Sequence, residues 1–315
     1  VSGTEENRFT AQMRELESSL PILMGKTVEW TRLFGGLAHV TYAVRTEADE
    51  RCVVKFLTQE MDDFGLMIPI PALIANTVAA GDSGIGAKVM YSLPEMPSLV
   101  LEHIDGITMS TEQLSQASYI PRLGKAVREL HDKSSPMINE ISIFTYLKDY
   151  LALVEEHTMP TPDGLLDYLP QIRQIEAALE VNAMPLVPSN NDLLAKNVMD
   201  DGRIRLIDYD FSGMNDPMFD VGDLAMEGDY SPEQIRELCI AYFGEHNPIQ
   251  YARARLYGIC AQYTWSLLFV GMDQLLSDGP DESFDYFAEA VSRWNWTRRK
   301  LDAADLPSVI ADARS

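Results

Sequence analysis

The spacing of hydrophobic and polar residues changes character about a third of the way along the chain. Before residues 102–106, a helical pattern over residues 6–20 is followed by short runs in which apolar and polar positions alternate, as they do in strands. The runs read VEWTRLF, HVTYAVRT, RCVVKFLT, AKVMYSL and SLVLEHI, and a helix is predicted over residues 70–80 between the third and the fourth. This part of the chain is therefore predicted to form a β-rich lobe.

Beyond that point, apolar residues recur mostly at helical spacing. Helices are predicted over residues 114–133, 143–156, 172–181, 232–243 and 251–276. One polar, β-rich segment at residues 187–213 interrupts them, with a tight turn at Asp201-Gly202 between two short strands. The pattern predicts an α+β fold of two lobes, residues 1–102 and 103–315, with a functional site in the cleft between them.

Composition and charge restrict the expected partners. The chain has 48 acidic and 25 basic residues and a formal net charge of −23, which would repel nucleic acid and would favour a cationic ligand. No apolar run is long enough to cross a bilayer, so no membrane partner is expected. The N-terminal residues show no signal-peptide pattern and the three cysteines lack metal-ligand spacing, so a reduced, cytoplasmic protein is expected. No pattern predicts the oligomeric state.

The polar segment carries residues suited to phosphoryl transfer, which needs fixed phosphates, bound metal ions and an acceptor hydroxyl held in line. Asp192 and Asn197 lie five positions apart on one loop, and Asp208 follows the second strand. Asn197 and Asp208 would offer oxygen ligands to Mg²⁺, and Asp192 would face the acceptor hydroxyl. Asp and Asn also cap turns in ordinary loops, so the spacing alone leaves a structural alternative open.

Two segments make this prediction specific. SNNDLLAKNVM resembles the catalytic loop His-x-Asp-x₄-Asn of choline kinases and aminoglycoside phosphotransferases, and LIDYDFSGMNDPMFDVGDLAME resembles the metal-binding segment of bacterial-type choline kinases. The chain is thus similar to the choline and ethanolamine kinase family over most of its length. The resemblance implies a protein-kinase-like fold, with ATP and Mg²⁺ as cofactors. It implies Asp192 as catalytic base and Asn197 and Asp208 as metal ligands, while Asp220 would either brace the catalytic loop or cap a helix.

The β-rich lobe would bind the nucleotide. FGGLAHVTYAV resembles the family's phosphate-covering loop, in which Gly35 and Gly36 would let backbone N–H groups approach phosphates. Lys55 lies in a strand among apolar residues and would contact the α- and β-phosphates. The backbone from Glu102 to Ile104 resembles the hinge that binds adenine. A plain hairpin turn at the glycines and a solvent-facing Lys55 are the alternatives.

The chain departs from the family pattern at four places. Asn190 replaces the histidine of the catalytic loop, and Ala38-His39 replaces a Thr-Asn pair of the glycine loop. The helix after Lys55 lacks the glutamate that orients the lysine, and the acids near enough to substitute are Glu60, Asp62 and Asp63. In the family's Trp-x-x-Trp pair, the second tryptophan is Leu268. Each change removes a positioning group and none removes an expected metal ligand.

The acceptor is expected to be a small, cationic alcohol such as choline or ethanolamine. Aromatic faces and a nearby carboxylate recognise an alkylammonium group, and Trp265, Tyr230 and Asp210 are the candidates for this pocket. Ordinary core packing is the alternative for the aromatic residues. Two other functions stay open: an aminoglycoside- or sugar-type phosphotransferase, and a catalytically silent relative that binds a nucleotide or ligand.

Overall fold

The computed structural model describes residues 5–34, 39–59, 65–93, 95–276 and 284–315. Six residues named above lie outside these ranges: Gly35, Gly36, Ala38, Glu60, Asp62 and Asp63.

The N-terminal lobe is built on a five-stranded antiparallel sheet with the strand order β1-β2-β3-β5-β4. Strands β1 to β5 run over Val28–Leu33, Val40–Thr46, Arg51–Phe56, Val89–Leu93 and Ser98–Glu102. Helix α1, Glu5–Ser19, covers one face of this sheet, and Phe9 stacks on Phe56 there with ring centroids 4.8 Å apart. The alternating pattern of the sequence thus places one apolar side of the strands under α1.

Helix α2, Ile70–Ser83, packs on the opposite face of the sheet. Leu73 of α2 contacts the cluster that contains Leu99, whereas Val100, one position further along β5, belongs to the cluster beneath α1. The side chain of Asn76 donates hydrogen bonds to the backbone oxygen of Ser212 at 3.1 Å and to the Oδ1 atom of Asn139 at 2.7 Å. Helix α2 is thereby tied to the C-terminal lobe.

The C-terminal lobe is mainly helical. Its helices α3 to α11 run over Thr111–Leu114, Ile120–Lys133, Ile143–Glu156, Leu169–Leu179, Pro217–Glu227, Pro232–Phe243, Pro248–Leu275, Tyr286–Leu301 and Leu306–Asp312. Helix α9, with 28 residues, is buried along most of its length and packs against α5, α7 and α10. It therefore forms the centre of the largest hydrophobic core.

Short strands lie where the sequence predicts a β-rich interruption. Strands β6 to β10 run over Ile107–Thr108, Val187–Ser189, Val198–Asp200, Ile204–Leu206 and Gly213–Asn215. Strands β8 and β9 form the predicted antiparallel hairpin, and β6 pairs with the other edge of β8. Strand β7 pairs with β10, which brings the two ends of the polar segment together.

The predicted helices agree with the structure except at one point. A single helix over residues 114–133 is wrong, because α3 ends at Leu114 and α4 begins at Ile120. Pro121 accounts for the break, since its ring lacks an N–H donor and is tolerated in a helix only within the first turn.

The predicted α+β architecture of two lobes is confirmed, while the boundary between residues 102 and 103 stays a prediction. In the ranges that the structure covers, no helix combines the length and the apolar character needed to span a bilayer.

Candidate active site

The catalytic loop lies between β7 and β8 and is held by a buried acid of helix α7. Both carboxylate oxygens of Asp220 accept backbone hydrogen bonds, from Asn190 at 2.9 Å and from Asn191 at 2.8 Å. The ring of His131 contacts the same carboxylate at 3.0 Å. Asp216, and not Asp220, caps the N-terminus of α7. Of the two alternatives for Asp220, bracing of the loop is therefore the one that the structure shows.

Two further acids of α7 extend this support along the loop. Asp223 accepts a hydrogen bond from the backbone N–H of Leu193 at 2.9 Å, and Glu227 accepts one from that of Ala195 at 3.3 Å. Positions 220, 223 and 227 lie on one face of a helix, so α7 presents a row of carboxylates to successive loop amides. Asp223 and Glu227 were not predicted as site residues, although three acids at helical spacing are a pattern that could have indicated them.

Asn190, which replaces the histidine of the family pattern, connects the catalytic loop to the segment after β9. Its side-chain amide donates to the backbone oxygen of Asp208 at 2.8 Å, and its oxygen accepts from the backbone N–H of Asp192 at 3.1 Å. One side chain thus contacts the backbone of both acids. This substitution leaves the relative position of the two acids fixed.

Asp192 and Asn197 are brought together as the spacing predicts. The Nδ2 atom of Asn197 donates to the Oδ2 atom of Asp192 at 3.0 Å and to its backbone oxygen at 2.8 Å. This leaves the amide oxygen of Asn197 for other ligands, and Asn197 lines the cleft. Burial raises the pKa of Asp192 to about 6; the charge of Lys196 opposes this shift, and the repulsion of Asp208 adds to it.

Lys55 is buried in the cleft and is paired with acids of the C-terminal lobe. Its ammonium lies 2.7 Å from the Oδ1 atom of Asp208 and also contacts the Oδ1 atom of Asp210. Only 8% of Lys55 is exposed, which removes the solvent-facing alternative. Burial alone would lower the pKa of Lys55, but the two carboxylates outweigh it and raise that pKa above its ordinary value.

The two acids that share this ammonium have pKa values shifted in opposite directions. Burial opposes ionisation of Asp208, but the charge of Lys55 prevails and lowers its pKa to about 2. Burial and the neighbouring charge of Asp208 raise the pKa of Asp210. The raised pKa of Asp210 follows from two carboxylates facing one cation, and a further cation on Asp208 would relieve that repulsion.

The cleft beside these residues is a cavity of about 440 Å³, within the range of small-molecule sites. Its lining combines the polar side chains of Lys55, Asn197 and Asp208 with an apolar set that includes Ala43, Val53, Leu99, Leu101 and Ile207. Of the expected hinge, Glu102, His103 and Ile104 all line the cleft. The N–H of Glu102 already bonds to the backbone oxygen of Lys88 at 2.8 Å, and its carboxylate pairs with Arg205.

The expected acceptor residues do not all lie together. Trp265 is buried and packs against the rings of Phe211 and Tyr146, at centroid distances of 5.0 Å and 6.1 Å. Tyr230 is 1% exposed and its hydroxyl donates to the backbone oxygen of Leu114, so it lies in the core. Among the described residues, Asp210 contacts Lys55 of the N-terminal lobe, and no contact with Trp265 or Tyr230 is seen for it, in contrast to the shared pocket expected from the sequence.

A group of charged residues near Asp192 was missed by the sequence analysis. The charges of Arg293 and Glu227 both act on Asp192. Arg293 donates to the Oε1 atom of Gln262 at 2.8 Å and pairs with Glu289 at 2.7 Å. Arg293 is separated from Asp192 by about a hundred positions, so no local motif connects them.

The donor atoms in the cleft fit Mg²⁺, which binds hard oxygen ligands and commonly uses one or two protein carboxylates together with substrate phosphates. The Asp208 carboxylate and the Asn197 amide oxygen are such ligands. Within the described part of the chain, no group of three or more His, Cys, Asp or Glu residues is arranged to hold a metal ion. The fit therefore rests on the carboxylate and the amide, with phosphate oxygens completing the coordination.

Comparisons with known proteins agree with this geometry. The family model for choline/ethanolamine kinase matches residues 82–242. Protein LicA of Haemophilus influenzae is 28% identical over 171 residues, which are 51% of this chain and 63% of that protein, so the match spans less than two thirds of that relative. Ethanolamine kinase 2 of Mus musculus is 22% identical over 338 aligned residues, 98% of this chain and 86% of that protein.

Solved structures show the same fold. A choline/ethanolamine kinase family protein from Mesorhizobium loti has a TM-score of 0.83 at 24% identity, covering 97% of this chain and 99% of the other. LicA in complex with AMP has a TM-score of 0.71 at 19% identity, covering 91% and 97%. These likenesses confirm the predicted two-lobed, kinase-like fold. Since the family model matches just over half of its residues, this chain belongs to the choline/ethanolamine kinase family.

Proposed function

We propose that this protein is an ATP- and Mg²⁺-dependent kinase that phosphorylates the hydroxyl of choline, ethanolamine or a similar amino alcohol. The observation that carries the proposal is that Lys55, Asn197 and Asp208 line one largely apolar cleft, with the Asp192 carboxylate bonded to Asn197. A cation for phosphates, oxygen ligands for a metal and a carboxylate for the acceptor are the groups that phosphoryl transfer requires. Family membership supports a phosphotransferase, and the acceptor and nucleotide are part of the proposal.

The apolar part of the cleft suits the flat base of a nucleotide. The N–H of Glu102 is already used within the sheet, so the backbone of Ile104 is the hinge position proposed to bind adenine. The Nδ1 atom of His103, which also lines the cleft, is buried and lacks a hydrogen-bond partner among the described residues. A buried polar atom of this kind is satisfied when a ligand supplies the missing partner. Lys55 then lies at the phosphate end.

The chemical roles follow from the contacts. Asp208 and Asn197 would hold Mg²⁺, which supplies charge stabilisation to the phosphate oxygens when bound. Asp192 would accept the proton of the acceptor hydroxyl as the hydroxyl oxygen forms its bond to the terminal phosphorus and the bond to ADP breaks. The amide of Asn197 orients the Asp192 carboxylate for this transfer.

The acceptor side favours a cationic alcohol. The carboxylates of Asp192, Asp223 and Glu227 lie close enough to influence one another, and Glu289 acts on Glu227. Arg293 and Lys196 act on Asp192 and Glu227 with the opposite charge. The aromatic contribution is limited, because Leu268 stands where the family pattern has a second tryptophan. A cation–π contact contributes roughly 0.5–2 kcal/mol of binding free energy. Relative to a pocket with both tryptophans, a primary ammonium held by carboxylates should therefore lose less binding free energy than a trimethylammonium group.

A panel assay tests the proposal. The purified protein would be incubated with Mg²⁺ and ATP and with choline, ethanolamine, an aminoglycoside or a sugar alcohol, and the phosphorylated product and ADP would be measured together. We expect equal amounts of ADP and phosphorylated amino alcohol. Transfer only to an aminoglycoside or a sugar alcohol would replace the proposed acceptor, and nucleotide binding without transfer to any acceptor would identify a silent relative.

A further inference from the structure

Lys55 lacks the partner that a lysine of this kind has in protein kinases, where a glutamate on the helix behind the sheet fixes the ammonium toward the phosphates. No acidic residue occurs between positions 65 and 81, so most of α2 has no carboxylate to offer. The residue of α2 that lines the cleft with Lys55 is Thr77, whose hydroxyl bonds to the backbone oxygen of Leu73 at 2.7 Å. Among the described residues, the acids that contact the Lys55 ammonium are Asp208 and Asp210.

Asp210 is in a position to supply the orienting carboxylate. Its Oδ1 atom contacts the Lys55 ammonium, and only 7% of the residue is exposed. Asp208 also contacts Lys55, but it is the acid expected to bind Mg²⁺, and its carboxylate is then shared. Asp210 comes two positions later and can stay on Lys55. Because an ammonium has three N–H donors, Lys55 can keep Asp210 and still contact phosphate oxygens.

His39 contributes to the position of Asp210 from the N-terminal lobe. The backbone N–H of Thr58 donates to the Nδ1 atom of His39 at 3.1 Å, so Nδ1 is an acceptor and a neutral His39 carries its proton on Nε2. The Nε2 atom lies 3.9 Å from the Oδ2 atom of Asp210. One oxygen of Asp210 thus contacts Lys55 of β3, while the other lies near His39, which directly precedes β2, at a distance longer than a hydrogen bond.

We propose that Asp210, aligned by His39, is the positioning residue that orients Lys55 for nucleotide phosphates in place of a helix glutamate. This inference rests on the proposed kinase function. It also assigns a role to His39, which stands where the family pattern has asparagine. In this arrangement the orienting carboxylate lies in the segment after β9 and not on the helix behind the sheet. The orientation of Lys55 therefore depends on contact between the lobes.

The principal test compares Asp210→Asn with the parent by titrating an ATP analogue in the presence of Mg²⁺ and by steady-state kinetics. Without Asp210, Lys55 remains paired with Asp208 and competes with the metal. We expect the Kd and KM for nucleotide to rise about tenfold to a hundredfold, the range for one hydrogen bond to a charged group, with a smaller change in KM for the acceptor. Asp200→Asn, which breaks the ion pair with Arg122 outside the cleft, is the matched control.

A rescue separates orientation from folding. Thr77→Glu places a carboxylate on the face of α2 that lines the cleft, and in the Asp210→Asn background it should recover part of the nucleotide affinity. If Asp210→Asn is unstable, the same titration is made with His39→Phe. A rise in the Kd for nucleotide that is smaller than the one expected for Asp210→Asn supports the inference, and an unchanged Kd overturns it.

Chemical labelling distinguishes this inference from the proposed function. With limiting acetic anhydride and mass spectrometry, acetylation of Lys55 in the protein without nucleotide should be faster in Asp210→Asn than in the parent and in Asp200→Asn. A parent that binds no nucleotide but shows this difference contradicts the kinase proposal and supports the positioning of Lys55. Equal labelling, or equal nucleotide affinity of parent and Asp210→Asn, overturns the positioning role.

Discussion

Asn190 occupies the place of a family histidine, and its amide contacts the backbone of both Asp192 and Asp208. It donates to the backbone of Asp208 and accepts from that of Asp192. An amide has a donor and an acceptor available at every pH, so this link is independent of protonation. The replacement is therefore no argument for a silent protein.

The base function proposed for Asp192, in contrast, depends on the protonation of its carboxylate. Burial raises its pKa to about 6, and a general base acts only in its ionised form. We expect kcat/KM to be constant above about pH 7 and to fall about tenfold per pH unit below about pH 6. A pH–rate profile with a constant ionic strength measures this. A profile that stays flat down to about pH 5 would contradict the assignment of Asp192 as base.

The sequence predicts the site residues that lie within one hairpin and misses those that meet across the fold. Asp192, Asn197 and Asp208 lie within one loop–strand–turn–strand segment, so local spacing is enough to place them together. The contact of Lys55 with Asp210 joins positions 155 apart. No periodicity encodes such a contact, because it depends on how the two lobes pack.

At the scale of elements, helix α7 holds the catalytic loop. Its row of carboxylates at positions 220, 223 and 227 accepts four loop amides. Close packing on α9 fixes the helix: a Cβ atom on Gly222 would lie 2.2 Å from the backbone oxygen of Ala254, and one on Gly258 would lie 2.7 Å from the oxygen of Gly222. Periodicity predicted α9, but not α10 or α11, this contact or the break at Pro121.

Asp223 allows the role of α7 to be tested. Burial and then the charge of Asp192 raise its pKa well above the ordinary value, so its stabilising contribution is present at low pH and is lost as pH rises through the raised pKa. Asp223→Asn keeps an oxygen acceptor for Leu193 and removes the buried acid, so it should unfold at equal or higher denaturant concentration near pH 7. Asp223→Ala leaves that amide without a partner and should lose about 1–3 kcal/mol.

Denaturant unfolding near pH 7 and at lower pH measures both variants. The advantage of Asp223→Asn over the parent should shrink as pH falls. Equal stability of Asp223→Ala and Asp223→Asn would show that the contact with Leu193 contributes nothing.

At the scale of the whole molecule, the net charge of −23 would act on the proposed cationic acceptor before it binds. A cationic alcohol is attracted by this field, and salt screens the attraction over about 8–10 Å at physiological ionic strength. The lobes meet through Asn76 and through Lys55, so the cleft is formed by both lobes. Hydrophobic patterning predicted two lobes correctly, whereas the contacts between them required the structure.

The charge effect can be isolated with a neutral acceptor. We expect kcat/KM for ethanolamine to fall severalfold between about 0.05 and 0.5 M salt, and that for 3,3-dimethylbutanol, an uncharged analogue of choline, to change little. Initial rates at saturating Mg²⁺ and ATP measure both. The same salt dependence for the two alcohols would show that surface charge does not select the acceptor.

The most direct test of the proposed kinase chemistry compares Asp192→Ala and Asp208→Ala for both turnover and binding of Mg²⁺-nucleotide. Loss of Asp208 removes an anionic ligand, so turnover should be abolished and nucleotide affinity should fall. Loss of Asp192 should lower kcat by about a hundredfold or more and leave nucleotide affinity near that of the parent. Parent-like turnover in both variants would contradict the account.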